Sequence, residues 1–191
     1  MAIKLREWIN EHSGLVVSAT VLVLVVVAIF VGLRSFRGPQ AFEEYDLWCI
    51  DLHTNKLFAA RSTDIPPFDA PSGELLEDGE PAGVRAYVYT CGECEGDLAG
   101  KTPEEVEELG LFVAYYEKYA PDLKERMLER QRVQEETGRP GPEFRMVVGR
   151  LLRLPDQEQW HDAATVFGRE IEIGPSRQCD DPSTLQLCGP G

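Results

Sequence analysis

Four cysteines hold the chemistry this chain is best equipped to do. Cys91-Gly92-Glu93-Cys94 is a Cys-x-x-Cys pair, and Cys179 and Cys188 follow near the C-terminus with eight residues between them. Three chemistries use such a set. Four thiolates at about 2.3 Å close a tetrahedral zinc site. Cys91, Cys94, Cys179 and Cys188 would be its ligands, Gly92 would ease the turn, and His53 or His161 could substitute. In an oxidising compartment the same residues form structural disulfides. Cys179 and Cys188 enclose a short loop, while Cys91 and Cys94 could close locally or cross to the tail. The third chemistry is a redox-active dithiol at Cys91 and Cys94. It needs a strand before the pair and a helix N-terminus at the first cysteine to depress the thiol pKa. Cys94 runs instead into Glu95-Gly96-Asp97, a poor helix whose charge raises a thiol pKa. Cys49 lies in an aromatic, strand-like stretch and reads as a buried small hydrophobe.

Other reactive patterns are thin. The chain contains no Gly-x-x-x-x-Gly-Lys-Ser/Thr, no Gly-x-Ser-x-Gly and no His-Glu-x-x-His. Glu95 follows Cys94 where a covalent haem would need histidine. His161-Asp162 beside Trp160 suggests a base with an orienting carboxylate, but neighbours on a strand point to opposite faces, so packing or solvation is the expected role. Glu104, Glu105, Glu107 and Glu108 read as a solvated helix face without the spacing of a calcium loop.

The elements that must position the cysteines begin with an anchor. Residues 14–33 read GLVVSATVLVLVVVAIFVGL, 20 residues without a charge. As a helix they span about 30 Å, the hydrocarbon thickness of a bilayer. The expected organisation is a leader at 1–13, a transmembrane helix at 14–33, a linker at 34–44, an α+β domain at 45–175 and a cysteine-containing tail at 176–191. Lys4 and Arg6 before the span balance Arg34 and Arg37 after it. Orientation therefore rests on the ordinary bacterial arrangement, a short cytoplasmic leader with an exported C-terminal domain.

Within the domain, Tyr45–Ala60 reads as a hairpin with Cys49 on one face and Trp48 and Ile50 on the other. Prolines at 66, 67, 71 and 81 make the following stretch a loop that wraps a core. Residues 84–90 are the best strand signal and deliver the chain directly to Cys91. Thr102, Pro103 and Glu105 spell a capping box, and 111–116 reads as a strand. Pro121 opens a charged surface helix that Gly138 ends, expected to cover one sheet face. Residues 145–154 suggest one bent strand or a pair, and Glu170-Ile171-Glu172-Ile173 alternates like a strand with both isoleucines inward. The tail has no periodicity and needs a clip to stay ordered.

Charge limits the partners. The chain is formally −14, and Met1–Arg37 carries four basic and two acidic residues, so the remainder is near −16. Nucleic acid and anionic headgroups would repel it.

Asp51-Leu52-His53-Thr54-Asn55-Lys56-Leu57-Phe58, Ala70-Pro71-Ser72-Gly73, 83–94 and Tyr115-Tyr116-Glu117-Lys118-Tyr119 together resemble small, single-pass membrane-anchored proteins of planctomycete bacteria. The resemblance implies a bacterial source and one anchor, and supplies no activity or site. The sequence thus leads to an N-terminal transmembrane helix and a small, mainly antiparallel α+β domain with one packed surface helix. Two functions follow. One is a structural or accessory domain that binds another protein, with the loop at 65–83 and the aromatic pairs as contact candidates. The other is a tethered thiol–disulfide oxidoreductase using Cys91 and Cys94.

Overall fold

A computed structural model describes residues 18, 21–27, 29, 45–138 and 148–190. The chain divides into two compact units, Met1–Ala41 and Phe42–Gly191. In the first, residues 18, 21–27 and 29 are helical and exposed. The rest of the expected span at 14–33 lies outside the described residues. Among the described residues no helix is long and apolar enough to cross a membrane.

The second unit is built on one antiparallel sheet. Its strands are β1 (Asp46–Asp51), β2 (Lys56–Arg61), β3 (Gly83–Thr90), β4 (Leu111–Tyr119), β5 (Arg150–Arg153), β6 (His161–Asp162) and β7 (Gln186–Cys188). The order is β2-β1-β3-β4-β5-β6, and β7 pairs with the end of β3. The helices are α1 (Pro103–Glu107), α2 (Pro121–Thr137) and α3 (Val166–Ile173). An α+β class with a mainly antiparallel sheet is therefore observed.

Alternation along β3 sorts the sheet into two faces. Val84, Ala86 and Val88 point to one, where they meet Ile50, Leu57, Leu98 and Val106 in the main core. Leu98 and α1 cover that side. The capping box is formed: Thr102 accepts from the Glu105 amide, and Glu105 Oε2 accepts from the Thr102 amide at 2.8 Å. Arg85, Tyr87 and Tyr89 point to the opposite face. The register shifts after Tyr87, which pairs with Tyr115 while Val88 pairs with Val113. Ala114 is the extra residue of this bulge, and it joins Leu152, Ala163 and Ile171 in a second cluster.

The proline loop wraps this second face, as expected. The Ser62 carbonyl accepts from Arg85 Nη2 at 3.0 Å, the Pro66 carbonyl accepts from the Tyr119 amide at 3.2 Å, and Phe68 meets Phe58 edge to face.

Two expectations are corrected. Leu123 is the one buried residue of α2, so this helix meets the domain at its first turn and does not cover a sheet face. Residues 170–173 are helical, not a strand. Thr165 caps α3 by accepting from the Gly168 amide at 3.1 Å. Gly168 then lets the helix lie directly on β6, since a Cβ there would stand 2.2 Å from the Asp162 carbonyl oxygen. In the helical frame Ile171 is buried and Ile173 is 45 % exposed. The helices packed on the sheet are thus α1, through Pro103 and Val106, and α3, through Gly168 and Ile171.

Candidate functional site

The cysteines meet where β3 ends. Cys91 bonds to Cys179 and Cys94 bonds to Cys188, with Cα–Cα distances of 5.5 Å in each pair. The tail needed a clip, and it has two. Between them β7 adds to the sheet, setting Cys188 opposite Val88. The zinc reading grouped the right four residues with the wrong chemistry. A sulfur in a disulfide has no thiolate for a metal, and no metal-binding group of three or more His, Cys, Asp or Glu occurs among the described residues. His53 is exposed in the β1–β2 turn, where its amide donates to Asp51 Oδ1 at 2.9 Å. Burial opposes ionisation of Asp51, but hydrogen bonds from Ser72, His53 and Thr54 outweigh it and hold the carboxyl below its usual range.

Cys49 is the free cysteine and is buried. Burial pushes its thiol up to about 12, against the pull of Arg85.

Sequence reasoning missed the polar centre of the second face. Glu117 is 1 % exposed at the middle of that face. Tyr119 donates its hydroxyl to Oε1 at 3.0 Å, and Tyr87 donates to Oε2 at 3.1 Å. Arg85 stands 3.4 Å from Oε1 and Arg150 stands 3.5 Å from Oε2. Arg150 also pairs with Glu172 of α3. Burial works against the Arg85 charge, but Tyr119 and Glu117 more than offset it, so the guanidinium is held above its ordinary range. A carboxylate with this many donors is fully satisfied. It holds the proline loop, through Arg85, and α3, through Arg150, onto one strand pair.

The tyrosines and Cys49 give the domain an alkaline limit. Burial first, then Glu117, pushes Tyr119 up to about 12, and burial pushes Tyr116 up to about 12. Burial also raises Tyr87 and Tyr115. Once unfolded, the thiol ionises near pH 9 and the phenols near pH 10. A folded pKa above the unfolded one means stability that is complete below the unfolded value and lost as pH rises toward the folded one. Stability to denaturant should therefore be flat to about pH 9. It should then fall by about 1.4 kcal/mol per pH unit for each group in titration. A curve still flat at pH 11 would show these groups to be wetter than their positions indicate.

On the opposite face Lys118 pairs with Glu80 and lies 5.0 Å from the centre of the Trp160 ring. Arg153 lies 5.0 Å from the same ring and 5.3 Å from that of Tyr116. Trp48 Nε1 and Arg153 Nε have no hydrogen-bond partner among the described residues. For Arg153 the two ring faces supply the compensating interaction.

One concave feature lies between β4, the 154–161 stretch and α3. It is a cavity of about 260 Å³, lined by Ala114, Leu154, Ile171 and Phe167, with His161 and Gln157 among its polar groups. His161 packs its ring 5.6 Å from that of Phe167. Asp162 does not orient it: its carboxylate accepts from the Gly149 and Ala164 amides, both at 2.8 Å. The suggested base pair is thus a packing histidine beside a turn-forming aspartate.

These features define a class: a small antiparallel α+β domain closed by two long-range disulfides at the end of β3, with a satisfied ionic centre on one sheet face. No protein-family model matches the chain, and no curated protein or solved structure matches it.

Proposed function

We propose that the chain is a membrane-anchored binding domain, held by residues 14–33 and displayed on the exported side of a cell membrane, whose role is to engage another protein. The two disulfides carry the reading. They engage all four of the paired cysteines, and such bonds form and persist in oxidising compartments. The apolar run at 14–33 supports the anchor and the negative remainder supports a protein partner over nucleic acid. Cys91 and Cys94 are each bonded to a different tail residue, which leaves no dithiol between them, so the oxidoreductase reading is not carried forward.

Two measurements on the full chain test this. Purified without reductant and then denatured, it should show one free thiol, from Cys49, rising to five after reduction. In sealed vesicles of known orientation, protease added on the exported side should cleave the domain and leave the anchor. Five free thiols without reductant, or a domain protected from that protease, would place it in a reducing compartment and end the reading.

A further inference from the structure

We propose that the cavity beside α3 is a binding site for a small organic cation, a primary amine carried on an aromatic or alkyl body. The inference goes beyond the binding-domain reading, because its ligand is a small molecule and not a protein. It starts from the size and lining of the cavity. At about 260 Å³ it lies just below the roughly 300–1,000 Å³ of drug-sized sites, so it suits a single ring or a short alkyl chain. Ala114, Leu154, Ile171 and Pro175 give it an apolar lining, and seating the body of a ligand there removes apolar surface from water. Phe167 adds a ring that is 70 % exposed, so most of its surface is available to a ligand.

The polar groups select the head group. Gln157, His161, Glu170 and Gln178 complete the lining, which holds one carboxylate and no Lys or Arg. Arg177 takes Glu170 Oε2 at 3.0 Å and leaves Oε1 without a partner among the described residues. That pair is exposed, its side chains 64 % and 53 % accessible, so it competes only weakly for the carboxylate. Arg169 is turned elsewhere, donating to the Ala164 carbonyl at 3.4 Å. An ammonium carries three donors and no acceptor. Glu170 Oε1 and the side-chain carbonyls of Gln157 and Gln178 are acceptors for it, and the Phe167 ring offers a cation its negative face. The wider field agrees: beyond Arg37 the chain is near −16, which draws cations in and turns anions away.

The test is calorimetric titration of the full, oxidised chain in detergent with probes that share one body: phenethylamine, phenethyl alcohol and phenylpropanoic acid. The amine should bind at one site per chain, roughly tenfold more tightly than the alcohol, and the acid should not bind. Methylamine, the same charge without the body, should not displace phenethylamine. Glu170→Gln should weaken the amine about tenfold and leave the alcohol unchanged. Phe167→Ala should weaken both. The thermal transition and thiol count should be unchanged in each variant, because both side chains are exposed. A chain that takes up no amine, or takes it no more tightly than the alcohol, overturns the inference, since the carboxylate then selects nothing. Amine binding indifferent to both variants overturns it too, by spreading the amine over the acidic surface at large. None of these results disturbs the thiol count and protease side, which decide the binding-domain reading separately.

Discussion

Replacing Cys91 and Cys94 together by serine will leave the domain largely unfolded at room temperature, whereas replacing either one alone will leave it folded but weakened. The reason is the topology of the two closures. Cys91–Cys179 and Cys94–Cys188 span 88 and 94 positions of chain. Alone, either bond removes the entropy of a loop of that size from the unfolded state, worth about 5 kcal/mol in the chain-entropy description. With one bond in place the other closes only a small ring, since its cysteines lie three and nine positions from the first pair. A ring of about a dozen residues is worth about 3 kcal/mol. The first bond lost therefore costs about 3 kcal/mol and the second about 5. Their total, about 8 kcal/mol, falls within the roughly 5–15 kcal/mol by which domains of this kind are stable. Beyond entropy, the double variant frees the tail, unpairing β7 from β3 and withdrawing the buried Cys188 from the main core. Urea denaturation of the full chain with each serine variant, and with both, measures the series. A double variant no weaker than the singles would mean that β7 and the 3-10 turns at Gly174–Arg177 and Pro182–Thr184 hold the tail without covalent help.

How far the sequence revealed this arrangement depends on what each signal is made of. The cysteines, the strand before them and the unpatterned tail were all legible. The chemistry was not, because zinc and disulfides demand the same convergence of four sulfurs, and spacing alone does not say which cysteine faces which. The hairpin, α1 and β3 were legible because their signals are local: a period of two, a capping box, a strand ending in glycine and cysteine. Residues 170–173 misled for the same reason. Glu-Ile-Glu-Ile has the period of a strand, and the information that overrides it lies earlier, in Thr165 as cap and Gly168 as the point of closest approach to β6. Residues 121–137 misled in another way. Leu123 and Met127 form a stripe, yet the helix is tied at its first turn, by Leu123, whose Cβ lies 3.2 Å from where Gly149 would carry one, and by Lys124, which donates to the Pro67 carbonyl.

The ionic centre had a signal that is visible only once two strands are aligned. Tyr115, Glu117 and Tyr119 alternate along β4, and Arg85 and Tyr87 along β3. Glu117 lies opposite Arg85 in the register. Opposite charges facing each other between aromatic neighbours mark a cross-strand pair.

That centre supports the second large effect. Glu117→Leu should destabilise the domain by about 3–5 kcal/mol, because it strands two guanidinium groups rather than because it deletes a favourable pair. The Arg85 and Arg150 side chains are 16 % and 26 % exposed, and the Tyr87 and Tyr119 hydroxyls would lose their acceptor. Arg150 keeps Glu172, which is 41 % exposed and on its own offers the modest help of a surface pair. Glu117→Gln retains one acceptor oxygen for a tyrosine but turns an amide N–H₂ toward other donors, so it should fall between Leu and wild type. The decisive variant removes the stranded charges as well. Glu117→Leu with Arg85→Met and Arg150→Met should recover much of the loss, since well-packed apolar groups often replace a buried ion cluster at little cost. Recovery in urea denaturation would identify the cluster as a clamp that holds the proline loop and α3 on the sheet. A single Glu117→Leu variant that loses less than about 1 kcal/mol would show that the carboxylate is not the compensating charge for those arginines.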